Sequence, residues 1–196
     1  MKIRKKIIEE ALKEHKKVLS SLEKQIPKIE KIASLCISSL EKGGKIIFCG
    51  NGGSAADSQH LAAELVGRFL KERKSLPSLA LSVNTSILTA VGNDYGFEKV
   101  FSKQIEALGK PKDLLIAIST SGNSKNIIEA VKKAKEKGIK TIGFLGKGGG
   151  KLKKLVDISL IVESNNTPRI QEIHILIGHI ICEIIENRCF EKKSIK

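Results

Sequence analysis

The chain has 196 residues, 41% of them apolar, which is enough for one sizeable hydrophobic core and short for two. Its formal charge is +14, but lysines are mixed with glutamates along the whole length, as in VKKAKEKG at 131–138, and one Tyr with no Trp leaves little to stack on bases. The charge reads as a solvated lysine-rich surface that helps to attract anionic substrates, not as a nucleic-acid interface. No apolar run follows the basic N-terminal residues, and Pro77, Asn84 and Gly92 interrupt the uncharged segment 75–93, so the expectation is a cytoplasmic protein with no membrane partner.

In chain order, Ile3, Ile7, Ile8, Leu12, Val18, Leu19, Leu22 and Ile26 recur at helical spacing as far as Pro27, and Ile29 to Leu40 continue the pattern to Gly43-Gly44. Two amphipathic helices, or one kinked at Pro27, account for this. Five short apolar runs suited to buried strands follow, at 45–49, 78–82, 113–118, 140–145 and 157–162. Helical segments are expected between most of them, at 55–72, 84–91, 97–108 and 124–137, with a final helix from Pro168 to about Arg188. GKGGGK at 146–151 lacks the hydroxyl of a phosphate loop and is expected to be a flexible turn. The four cysteines, Cys36, Cys49, Cys182 and Cys189, sit in apolar surroundings without CxxC spacing, as structural free thiols do.

Buried strands alternating with helices mean an α/β domain of three α/β/α layers around a parallel, doubly wound sheet of order 2-1-3-4-5. In that order the first and third strands are neighbours whose connections diverge. They are the strands followed by CGNGGSAADSQH at 49–60 and STSGNS at 119–124, each leading into a helix. Small-residue loops at helix N-termini present unpaired N–H groups, so two of them at the switch point suggest one phosphorylated, polyhydroxylated ligand gripped at both ends.

Titratable groups narrow the chemistry. His60 and Glu64 share a helix face, and Gln171, Glu172, His174 and His179 lie on the final helix. His174 reads as a satisfied core histidine. Together, His60, Glu64, Gln171 and His179 would make a donor set acceptable to zinc or another divalent ion. Against this, Gln171 and His179 stand roughly 12 Å apart along an ideal helix, so spacing leaves the metal site open.

Four motifs in succession, CGNGGSAADSQHLAAE, VGNDYGFE, ISTSGNS and RIQEIHILIGHII, resemble the phosphoheptose isomerases, which are sugar isomerase (SIS) domain proteins. The resemblance runs from about Lys45 to Glu186. It implies a SIS domain over 45–196, with N-terminal helices over 1–44 packing on the domain and on partner subunits. It further implies an aldose-ketose isomerase that converts D-sedoheptulose 7-phosphate to D-glycero-D-manno-heptose 7-phosphate, the first step toward bacterial heptose nucleotides. Carried over residue by residue, Glu64 and His179 are the acid/base pair, and His60, Glu64, Gln171 and His179 hold one zinc per subunit. Asn51, Gly52, Gly53, Glu64, Asn93, Asp94, Ser119, Thr120, Ser121, Ser124 and Gln171 contact the substrate. The assembly implied is a homotetramer with pockets at subunit contacts. Non-catalytic SIS relatives that bind the replication initiator lose the acid/base residues, which this chain retains; isomerases of another sugar phosphate, arabinose 5-phosphate, usually carry additional regulatory domains.

Overall fold

Residues 2–191 are described by a computed structural model; Met1 and 192–196, the extremes of the two expected segments, lie outside the described residues. Strands β1 (Ile46–Cys49), β2 (Ser78–Ala80), β3 (Leu114–Ser119), β4 (Lys140–Leu145) and β5 (Ile158–Ile161) pair in parallel in the order β2-β1-β3-β4-β5, as expected. Side chains alternate along each strand, so parity decides which helices cover which face. Ile46, Phe48, Leu114, Ile116 and Phe144 point to a layer containing α2 (Ile26–Glu41), α3 (Gly53–Val66) and α8 (Thr167–Glu191). Ile47, Cys49, Leu115, Ala117 and Leu145 point to α5 (Ser102–Leu108), α6 (Lys125–Glu136) and α7 (Leu152–Leu155). The chain therefore leaves β1 toward one face and β3 toward the other, and the switch point lies between their C-terminal ends.

At the N-terminus there are two helices. α1 (Lys2–Ser21) passes through a 3-10 turn, Leu22–Gln25, into α2, where Pro27 occupies the first turn and its missing N–H costs nothing. α1 buries only Val18, leaving Ile3, Ile7, Ile8 and Leu12 exposed. Against α3, by contrast, α8 packs at very short range. A Cβ on Gly178 would lie 2.4 Å from Leu61 Cδ2, so any side chain there would force buried Leu61 to move.

The structure corrects several boundaries. The helix expected over 55–72 ends at Val66, because Gly67 follows and the Arg73 guanidinium takes up the carbonyls of Glu64, Leu65 and Gly67. α4 (Thr85–Tyr95), capped at Asn84 by a bond from Ile87 N–H, runs past 91 and stops at Gly96, where φ is +88°. The helix expected over 97–108 is a 3-10 turn, Phe97–Lys99, followed by α5. Among the described residues no helix is long and apolar enough to cross a membrane. The cysteines are free, and burial pushes the Cys49 and Cys182 thiols up to about 12.

His174 is fully buried against Phe144, and its Nε2–H donates to the Leu145 carbonyl at 3.1 Å, whereas Nδ1 has no partner. Burial lowers its pKa from 6.5 to about 4, outweighing the carbonyl, which favours the charged form. A depressed folded-state value means stability that is present above pH 6.5 and lost as pH falls toward 4, a contribution on the order of 3 kcal/mol. Denaturant unfolding followed by circular dichroism should therefore show a shallower acid loss between pH 6.5 and 4 in His174→Gln than in the parent. Equal slopes would mean that this ring is not held neutral.

Candidate active site

Both Gly-rich loops lie at the C-terminal edge of the sheet. After β1 the chain turns through Gly50–Gly52 and begins α3, with Ser54 N–H on the Asn51 carbonyl at 3.0 Å. After β3, Ser119 Oγ accepts the Gly122 N–H at 3.2 Å and lies 3.1 Å from Ser124 Oγ, while Ser121 Oγ accepts the Asn123 N–H at 3.1 Å. Ser124 makes no side-chain cap to α6; in its first turn the Ile127 N–H donates to Asn126 Oδ1 at 3.0 Å, while the Lys125 and Asn126 N–H groups at the helix start carry no side-chain cap. Thr120 is half-buried between these serines.

Two contacts hold the loops in place. Asn51 and Asn126 exchange amide hydrogen bonds of 2.9 and 2.8 Å, which ties the start of α3 to the start of α6. Asn126, 3% exposed, went unnoticed in sequence although it sits two residues after Ser124. The other contact corrects the expectation of a flexible turn at 146–151. Gly149 O would lie 2.0 Å from a Cβ on Gly122, Leu152 N–H donates to Gly122 O at 3.0 Å, and Lys151 N–H donates to Asn123 Oδ1 at 3.0 Å. GKGGGK is thus a brace packed on the second loop, close enough that Gly122 admits no side chain.

Parallel packing of α3 and α8 assembles the titratable groups. His60 Nε2 is 2.9 Å from Glu64 Oε1 and 3.4 Å from His179 Nε2, and ligand atoms of all three lie within 4.8 Å of one another. Ligand atoms around a tetrahedral zinc at about 2.0–2.1 Å are separated by roughly 3.3 Å, so the two imidazole nitrogens already stand at a suitable spacing. The donor set fits zinc. Gln171 is elsewhere: its amide nitrogen would lie 2.4 Å from a Cβ on Gly53, seven residues and roughly 10 Å along α3 before His60. The four-ligand set is therefore not brought together within one chain, whereas Gln171 does reach the first loop. Asn93 and Asp94 are exposed near the end of α4 and bond to each other at 2.8 Å.

Asp57 is a candidate site residue that sequence reasoning missed. It shares the α3 face of Gly53, His60 and Glu64, its Oδ2 is buried without a hydrogen-bond partner, and burial raises its pKa to about 6 against the opposing pull of His60. Helical spacing from His60 and Glu64 was the available signal. Burial of an acid beside a titratable neighbour makes it a functional-site candidate.

A doubly wound domain with two anion-type loops at its switch point and a His/Glu/His cluster on adjacent helices belongs to the class that handles small phosphorylated metabolites. A family model described as SIS domain matches residues 12–146. Phosphoheptose isomerase from Nitratiruptor sp. is 56% identical over 180 residues, covering 91% of this chain and 96% of that protein. The structure of phosphoheptose isomerase from Neisseria gonorrhoeae superposes with a TM-score of 0.89 at 44% identity, over 93% of this chain and 98% of that one. Its counterpart from Francisella tularensis gives 0.91 at 39% identity, over 95% and 99%. The chain belongs to the phosphoheptose isomerases of the SIS domain family.

Asp57 yields a sign-specific expectation. Because its folded pKa is raised, it contributes most stability below pH 3.8 and loses that contribution as pH rises through about 6. In protein stripped of metal with a chelator, Asp57→Asn should melt at a higher temperature than the parent at pH 7–8, and the gain should fade as pH approaches 4. A gain that is constant with pH would show that ionisation of Asp57 is not responsible.

Proposed function

We propose that the protein isomerises D-sedoheptulose 7-phosphate to D-glycero-D-manno-heptose 7-phosphate, the aldose-ketose step that leads to bacterial heptose nucleotides. The meeting of Glu64 with His179, from helices distant in sequence, is the observation that carries the chemistry. Moving a carbonyl between C1 and C2 requires a proton taken from carbon, an enediolate held, and the proton returned to the neighbouring carbon. Glu64 is assigned as the base and His179 as the group that moves protons at the substrate oxygens, each contributing about 10²–10⁴-fold.

The phosphate is assigned to Ser119, Thr120, Ser121, Ser124 and the N–H groups that begin α6, far enough from the cluster for an extended sugar to span the two. Asn51, Gly52, Gly53 and Gln171 would line the path between them, and Asn93 and Asp94 would act from α4. Zinc held by His60, Glu64 and His179 would supply electrostatic stabilisation of the developing negative charge. A fourth ligand role for Gln171 would need the side chain to come from another subunit or to turn away from Gly53.

The assembly proposed is a homotetramer of cytoplasmic protein. Its support is the exposed apolar stripe of α1 together with an open groove between α1, α2 and α8 lined by Leu19, Leu22, Ile26, Ile29, Leu176 and Ile180. Light scattering at micromolar concentration should report four 21.4 kDa copies. A stable monomer would contradict it.

Incubation of the pure protein with sedoheptulose 7-phosphate, with the product identified by NMR, tests the activity directly. Glu64→Gln should lower kcat by about 10²–10⁴-fold, and retention of more than about a tenth of parental kcat would remove Glu64 as the base. Ser121→Ala and Ser124→Ala should instead raise KM more than they lower kcat, because the phosphate is held equally in ground and transition states.

A further inference from the structure

Beyond the C-terminus of α3 lies a buried polar knot. Glu186, its side chain 2% exposed, accepts the N–H groups of Phe69, Leu70 and Lys71 at 3.0, 2.8 and 2.9 Å and the Nε–H of Arg73 at 3.1 Å. Arg73, equally buried, directs its remaining N–H groups to the carbonyls of Glu64, Leu65, Gly67 and Lys74 at 2.7 to 3.1 Å. Burial pushes the Glu186 carboxyl upward, but the three backbone donors and Arg73 outweigh it and hold it below its ordinary value. All three guanidinium nitrogens donate, and both carboxylate oxygens accept. Such a pair fixes one conformation, because any alternative leaves a buried charge uncompensated.

The conformation it fixes places an aromatic ring at the site. Phe69, whose own N–H is bound by Glu186, has its ring centroid 5.6 Å from that of His179 at a 37° tilt. His60 meets the same imidazole edge-on, with centroids 5.0 Å apart at 69°. The His179 ring therefore has two neighbours, one that shares its chemistry and one that is purely a wall. Glu186 stands seven residues beyond His179, about two turns along the same face of α8, so the helix that carries the imidazole also carries the anchor that returns the loop to it. Arg73 meanwhile grips the backbone carbonyl of Glu64 itself.

We propose that segment 67–73, locked by Glu186 and Arg73, is a positioning device for the acid/base pair, and that Phe69 is the positioning residue that sets the orientation of the His179 ring. The proposal rests on the reading that Glu64 and His179 carry the proton transfers. Without the phenyl face, the imidazole could swing about its χ2 bond away from His60, and misplacement of a reacting group by about 1 Å can cost up to roughly 10²-fold in rate. The phosphate loop, at the far end of the ligand, should be unaffected.

Phe69→Leu in the full-length protein keeps apolar bulk but loses the plane. It should lower kcat about tenfold or more with KM within about twofold, and should weaken zinc binding severalfold, measured without substrate by competition with a chromophoric chelator. Phe69→Tyr, which keeps the ring, should restore both. Should Phe69→Leu fail to fold, Phe69→Met carries the same test. Glu186→Gln, at a residue assigned to neither substrate nor metal, should reproduce the pattern from the other end of the lock. A lowered melting temperature with parental kcat and zinc affinity would mean that the segment only caps α3, and would overturn the proposal. Glu64→Gln run alongside separates the two readings: if it stays active, the proton-transfer assignment itself fails, whereas an inactive Glu64→Gln beside a parental Phe69→Leu rejects the positioning role alone.

Discussion

The site depends on one contact, the close parallel packing of α3 against α8. That contact sets the distance between His60 and His179, brings Gln171 to the first loop, and places Glu186 beside the chain that leaves α3. The apolar side of the pair holds it together: Leu61, Leu65, Ile177 and Ile181 are all buried, and each such side chain contributes about 1.5–3 kcal/mol. An exposed bond such as His60 to Glu64 contributes about 0.2–1 kcal/mol by comparison. Packing therefore positions the functional groups, and the functional groups do not position the helices.

Polar satisfaction is distributed unevenly. Between α8 and the chain after α3, both Glu186 oxygens and all three Arg73 guanidinium nitrogens are hydrogen-bonded; on the α3 face that carries His60 and Glu64, Asp57 keeps a buried oxygen without a partner and a raised pKa. The loops contrast with this. Ser119 and Ser121 already bond to their own backbone, the Asn51–Asn126 amide pair joins the loops, and the 146–151 brace supports the second, so both loops are held in one arrangement, and a ligand bound there would lose little ordering entropy.

Much of this was determined by the sequence alone. Strand positions, the 2-1-3-4-5 order, the two loops and the pairing of His60 with Glu64 follow from local rules: apolar runs bounded by turn residues, alternation with helices, and i, i+4 spacing on one face. Tertiary structure decided what local rules do not contain. α3 ends at Val66 because a guanidinium seven residues later reaches back to its carbonyls. GKGGGK is a brace because Gly122 and Gly149 touch across the β3–α6–β4 crossover, and Asn126 matters because Asn51 meets it. His179 joins His60 and Glu64, while Gln171 stays with Gly53, because two parallel helices carry groups at matched heights and a separation along one helix persists along the other. Local periodicity reports which face a side chain occupies; only the packing of distant elements reports what that face meets.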